Sequence, residues 1–200
     1  MILTPDILAA LALYALATSV TPGPNNMMLL ASGVNFGFQR TIPHMLGIAG
    51  GFALMAIPVG LGLGALFLAM PALHVVLKVI AGAYMLWLAW RIANISTMAE
   101  GRAGASPMSF WQAAFFQFVN PKAVLMAITA MSAYTNPEHP FVSVFAVAVV
   151  FSVINLPSVG VWAVFGASLR QWLSDPLRLK WFNLAMAALL VLSLWPILRM

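Results

Sequence analysis

Long apolar runs alternate along the chain with short breaks that hold most of its charge. Six runs reach the roughly 20 residues that a helix needs to cross a hydrocarbon core: Ile7 to Val34, Ile42 to Leu68, Leu73 to Ala93, Phe110 to Ala133, Phe141 to Gly166 and Trp181 to Leu198. The pattern predicts an all-α membrane protein of six transmembrane helices. Among the breaks only Asn94 to Ser109 is long and Gly/Ser-rich enough for a linker. It divides a first half, about 1–93, from a second, about 109–200, within one transmembrane domain.

Two of the runs are interrupted. The first holds Thr21-Pro22-Gly23-Pro24-Asn25-Asn26. Proline cannot donate to the helical ladder and glycine loosens the turn, so the ladder opens there. In lipid an open ladder is tolerated only where its groups meet protein or a water-lined cavity, which predicts a binding element at membrane depth. The fourth run holds Asn120-Pro121-Lys122, in which Asn before Pro is the N-cap and N1 pairing that starts a new half-helix. Pro24 and Pro58 stand at nearly the separation of Pro121 and Pro157, so both halves are expected to break at corresponding places. Three helices per half means that the second inserts from the opposite side. That is the inverted-repeat layout, with helices one and four broken near the midplane.

Composition sharpens this picture. Apolar residues make up 63% and charged residues 6%, with a mean hydropathy of +0.99, where soluble domains carry about 25% charge. The net charge of +5 is scattered singly and forms no basic face, so a nucleic-acid partner is not indicated. Arg40, Arg91, Arg102, Arg170, Arg178 and Lys180 lie on the first, third and fifth connections or at their helix ends, against Arg199 and Lys78 on the other side. The positive-inside rule then puts those connections in the cytoplasm and both chain ends outside. There is no cysteine, and no two histidines stand at metal-ligand spacing, so neither a metal site nor a cofactor is indicated. Paired acids, a Gly-x-Ser-x-Gly elbow and a phosphate loop are all lacking, which argues against an enzyme.

Lys122 is the most informative single residue, since a lysine at membrane depth costs roughly 2.5 to 3.5 kcal/mol on insertion scales. Asp6, Glu100, Glu138 and Asp175 fall at helix ends or in loops, so no carboxylate partner is evident. The expected partner is a substrate α-carboxylate, held by Lys122 and the helix N-termini after Pro24 and Pro121. Carbonyls freed near Ala17 to Val20, with Asn25, Asn26 and Asn120, are expected to hold the α-ammonium. Pro22, Gly23, Pro24 and Pro121 shape this site, and Asn155 and His44 are expected to line the path. Small-residue faces at Gly47 to Gly51 and at Gly60 with Gly64 fit close helix packing and equally a homodimer.

The signature Thr21 to Asn26, followed by Gly37-Phe38-Gln39-Arg40 and the Gly47 to Gly51 run, closely resembles the opening of the LysE/RhtB family of amino-acid exporters. The resemblance continues through Tyr84 to Ala93, Ser109-Phe110-Trp111 and Gln117 to Lys122, essentially the whole chain. It implies six helices in a bacterial inner membrane and export of amino acids or their derivatives, in antiport with an ion, usually taken to be the proton. The Ser109 to Trp111 and Gln117 to Lys122 segments are most similar to the branch that exports cysteine and O-acetylserine, although Pro121 departs from that branch's common pattern. Lys122 is the group the sequence offers for a coupling proton. The expected function is secondary export of a small amino acid or derivative, cysteine/O-acetylserine, homoserine/threonine or similar. The alternative is a passive channel for a small zwitterionic or neutral solute.

Overall fold

The structure, a computed structural model, describes residues 3–63, 71–95 and 106–195. Proline decides where many of its helices begin. Pro5, Pro24, Pro121, Pro140 and Pro176 each stand in a first helical turn, where the absent N–H is no loss. Several residues before them act as caps: Thr4 Oγ1 accepts from the Ile7 amide at 3.4 Å, and Asp175 Oδ1 accepts from Leu177 and Arg178 at 3.0 and 2.9 Å. The resulting order is α1 (Pro5–Val20), α2 (Pro24–Phe36), α3 (Phe38–Pro58), α4 (Pro71–Ala93), α5 (Phe110–Val119), α6 (Pro121–Tyr134), α7 (Pro140–Leu169) and α8 (Pro176–Leu192). A π-helical turn, Val59–Leu63, extends α3, and a short 3₁₀ turn, Trp172–Ser174, precedes α8.

Both predicted interruptions are present. The first apolar run becomes α1 and α2, bent by 58°, and the fourth becomes α5 and α6, bent by 72°. Other expectations need correction. The second helix starts at Phe38 rather than Ile42, because Gly37 takes φ 81 and turns the chain directly from α2 into α3. The last starts at Pro176 rather than Trp181, since Asp175 supplies the cap. Pro157 does not break its helix: it lies exposed within an unbroken α7. Ser158 Oγ donates to the Ile154 carbonyl at 2.6 Å beside it, so the ladder loses a rung without opening. Leu68, Gly64, Glu100, Arg102, Leu198 and Arg199 lie outside the described residues, as do the side chains of His74 and Lys78.

Polarity is distributed inside out. Leu13, Val79, Phe115, Val153, Val161 and Leu192 are exposed, whereas Asn26, Asn35, Gln117, Asn120, Asn155 and Asn183 are buried. Exposed apolar faces over buried hydrogen-bonding groups suit a lipid solvent and would be costly in water. Phe38–Gly62 and Pro140–Leu169 are each long and apolar enough to cross a membrane, and each bent pair passes the same test as one broken span. Length and composition therefore account for up to four spans. Exposed Trp172 under the Arg178 guanidinium at 5.2 Å is a side-chain pair of the kind that sits at a membrane interface.

Glycine sets how closely the helices approach. A Cβ on Gly33 would meet the Ala163 carbonyl oxygen, and one on Gly166 would meet that of Leu30, so α2 and α7 touch backbone to backbone. Gly47 and Gly51 seat α3 on the backbone of Phe110 and Ala114 in α5 in the same way, and Gly60 faces Met131 and Val144. Gly47, Gly51 and Gly60 are thus occupied by contacts within the chain. Gly82 differs, with nothing within 4 Å of an added Cβ. Gly166→Ala should therefore lower the thermal stability of the purified protein by roughly 1–3 kcal/mol through overpacking. Gly82→Ala should raise it by up to about 1 kcal/mol through helix propensity. Circular-dichroism melting in detergent measures both.

Candidate functional site

Breaking α1 from α2 leaves carbonyls at the end of α1 without helical donors. Side chains from four segments satisfy them in turn. Thr21 Oγ1 donates to the Thr18 carbonyl at 2.8 Å. Asn26 Nδ2 donates to Ser19 and Thr21 at 2.8 Å and to Val20 at 3.4 Å. Trp162 Nε1, from α7, reaches Val20 at 3.1 Å. Lys122 Nζ, from the second break, donates to the Thr21 carbonyl at 2.6 Å, to Thr21 Oγ1 at 2.9 Å and to the Pro22 carbonyl at 3.3 Å.

Gly23 makes room for this ammonium. Its backbone is extended, φ −175 and ψ 179, which any residue adopts, yet a Cβ would fall 2.8 Å from Lys122 Cδ and 3.2 Å from Nζ. Space, rather than conformational freedom, makes glycine necessary here. The second break is capped as its sequence predicts: Asn120 Oδ1 accepts from the Lys122 amide at 3.2 Å, with Pro121 at N1. A reciprocal amide pair then joins the two breaks. Asn25 Nδ2 donates to Gln117 Oε1 at 2.8 Å, and Gln117 Nε2 returns a bond to Asn25 Oδ1 at 3.3 Å.

These groups surround a cavity of about 20 Å³ that Thr18, Ser19, Gly23, Pro24, Asn25, Asn26, Gln117, Asn120, Lys122 and Asn155 line together with Phe52 and Met126. That volume admits about one water, so the site is closed in this conformation. Asn155 Nδ2 donates to Ser19 Oγ at 2.8 Å, while its buried Oδ1 has no donor. Phe52 stacks on Phe151 with centroids 4.2 Å apart, part of an apolar cluster on one side of this polar seam. A second cluster, with Met27, Met45, Ile48 and Val159, lies on the other side.

The structure brings together Gly23, Pro24, Asn25, Asn26, Asn120, Lys122 and Asn155, with the Pro22 carbonyl on the Lys122 ammonium and Pro121 opening α6. It corrects two expectations. Lys122 has protein acceptors already, and the carbonyls of Ser19 and Val20 are taken by Asn26 and Trp162 rather than left open for a ligand. His44 does not join the group; it lines a separate cavity beside Arg91. Sequence reasoning missed Gln117, Ser19 and Trp162. Gln117 could have been found as an amide deep in an apolar half-helix, about one turn before the Asn120 cap and well past the Gln112 of the opening turn. For Trp162 no local signal exists, because its partner is in α1.

A LysE type translocator model matches residues 16–193, which include both breaks. The chain belongs to the LysE translocator family. Cysteine/O-acetylserine efflux proteins of Escherichia coli (strain K12) and Shigella sonnei (strain Ss046) are 35% identical to it over 166 residues, 82% of this chain and 84% of theirs. The corresponding protein of Escherichia coli O1:K1 / APEC is 34% identical over the same shares. No solved structure matches the chain. Membership in this translocator family makes the chain a multi-pass membrane transport protein and not an enzyme.

The side chain at 26 must be a donor, because it faces three carbonyls. Asn26→Ala should cost roughly 1–3 kcal/mol, because Ser19 loses the donor to its carbonyl while Val20 and Thr21 keep only Trp162 and Lys122. Asn26→Asp, which sets an acceptor against acceptors, should cost more than Asn26→Ala. Equal melting temperatures for the two variants would contradict this order.

Proposed function

We propose that the chain is a secondary exporter of a small amino acid of the cysteine or O-acetylserine kind, with the pocket between the two helix breaks as its substrate site. The single observation that carries this reading is the Lys122 ammonium lying on the Thr21 and Pro22 carbonyls at the join of the two breaks. Carbonyl dipoles hold a cation less strongly than a carboxylate does, so an α-carboxylate entering the opened site competes for Lys122 on favourable terms. The α-ammonium would then meet Asn155 Oδ1, the buried acceptor without a donor, and Ser19 Oγ beside it. The efflux relatives support an amino-acid substrate of this size.

Opening is required, since a cavity of about 20 Å³ cannot hold an amino acid. In this reading the two halves are inverted three-helix repeats in a bacterial inner membrane with both chain ends outside. Carboxylate binding at Lys122 releases its hold on Thr21 and Pro22 and so loosens the seam between the two breaks. Lys122 also carries the coupling proton, as no acid lines the site among the described residues.

Inside-out vesicles provide the test. With an imposed proton gradient, wild-type vesicles should accumulate labelled cysteine above equilibrium, and Lys122→Met vesicles with equal protein content should lose at least about 90% of that uptake. Equilibration without accumulation would mean a channel. Full uptake by Lys122→Met would remove the assigned site.

A further inference from the structure

A second cavity, of about 90 Å³, lies where α2, α3 and α4 meet the segment leading into α5. Its wall includes Ser32, Phe36, His44, Arg91, Ile92 and Met108. His44 is 1% exposed, yet neither ring nitrogen has a hydrogen-bond partner among the described residues. A buried imidazole always carries at least one N–H, so a donor is left unsatisfied there in this conformation. The neighbouring hydroxyls do not supply its partner. Thr41 Oγ1 donates to the Gly37 carbonyl at 2.8 Å and accepts from Ser32 Oγ at 2.8 Å, which leaves Ser32 with a free lone pair on the cavity wall. Arg91 brings the positive charge, its guanidinium held 5.0 Å over the Trp87 ring. No acid lines this cavity among the described residues.

We propose that this cavity is a second ligand site, distinct from the pocket at the helix breaks, which takes the carboxylate of a small organic acid or amino acid between Arg91 and His44. Its volume exceeds that of the closed central pocket severalfold and suits a carboxylate with a short substituent. It lies at the end of the bundle that Phe36 and Arg91 occupy, which positive charge assigns to the cytoplasm. The site would therefore meet the solute before the breaks do. In that role it rests on the export reading; as a carboxylate site it does not.

Saturation-transfer NMR on the full chain in lipid nanodiscs tests it, with propionate as a bare carboxylate, methyl propionate as its uncharged ester, and cysteine. Lys122→Met protein should still bind propionate and cysteine and should ignore the ester. Adding Arg91→Gln, at a half-exposed position, should weaken the remaining binding by about tenfold or more, as loss of a charge-assisted bond does, and Arg91→Lys should restore part of it. Lys122→Met protein that binds neither acid, or binding indifferent to Arg91→Gln, would overturn the site. So would equal binding of acid and ester. Vesicle export is read separately: wild-type vesicles that never concentrate cysteine overturn the export reading, and Arg91-dependent propionate binding then still decides this one.

Discussion

An unpaired carbonyl in an apolar interior costs several kcal/mol, and this fold opens a run of them from Thr18 to Pro22. Their satisfaction holds the molecule together at its centre. Asn26 covers them from the same segment, Trp162 from α7, and Lys122 from the far half of the chain. The helix break is therefore no local irregularity. It is a place where both halves meet, and the ammonium on Thr21 and Pro22 ties one break to the other.

The apolar core is arranged to keep that junction in place. Glycines let α2 lie against α7, and α3 against α5, at backbone distance, while α1 reaches α7 through side chains such as Trp162. Two apolar clusters flank a seam of amides, hydroxyls and one ammonium, and the Asn25–Gln117 pair bridges the seam directly. Amide pairs exchange partners readily at modest cost, whereas packed glycine faces cannot shift without losing many contacts at once.

Much of this is legible in the sequence where the chemistry is local. Proline at N1 with Asn120 before it marks the second break, and two prolines around Gly23 mark the first. Lys122 stands out because a lysine within a long apolar run demands a partner. What the sequence does not reveal is the identity of that partner, since Thr21 and Lys122 lie in different halves and no pattern within either links them. Pro157 misleads for a physical reason: an outward-facing proline with a serine hydroxyl beside it leaves a helix whole. His44 is legible as a polar residue on an apolar helix, but nothing local shows which of two cavities it faces.

The central claim is the contact between the Lys122 ammonium and the unwound carbonyls, and a direct distance measurement tests it. Lys78→Arg with Lys180→Arg leaves Lys122 as the sole lysine, so a ¹⁵Nζ label there and ¹³C-carbonyl threonine allow dipolar recoupling by solid-state NMR in lipid. The 2.6 Å hydrogen bond predicts strong dephasing of the lysine nitrogen by the Thr21 carbonyl carbon, abolished by Thr21→Ser, which removes the labelled carbonyl and keeps the hydroxyl. A lysine nitrogen with no carbonyl coupling, mobile on the timescale of exposed lysines, would contradict the account.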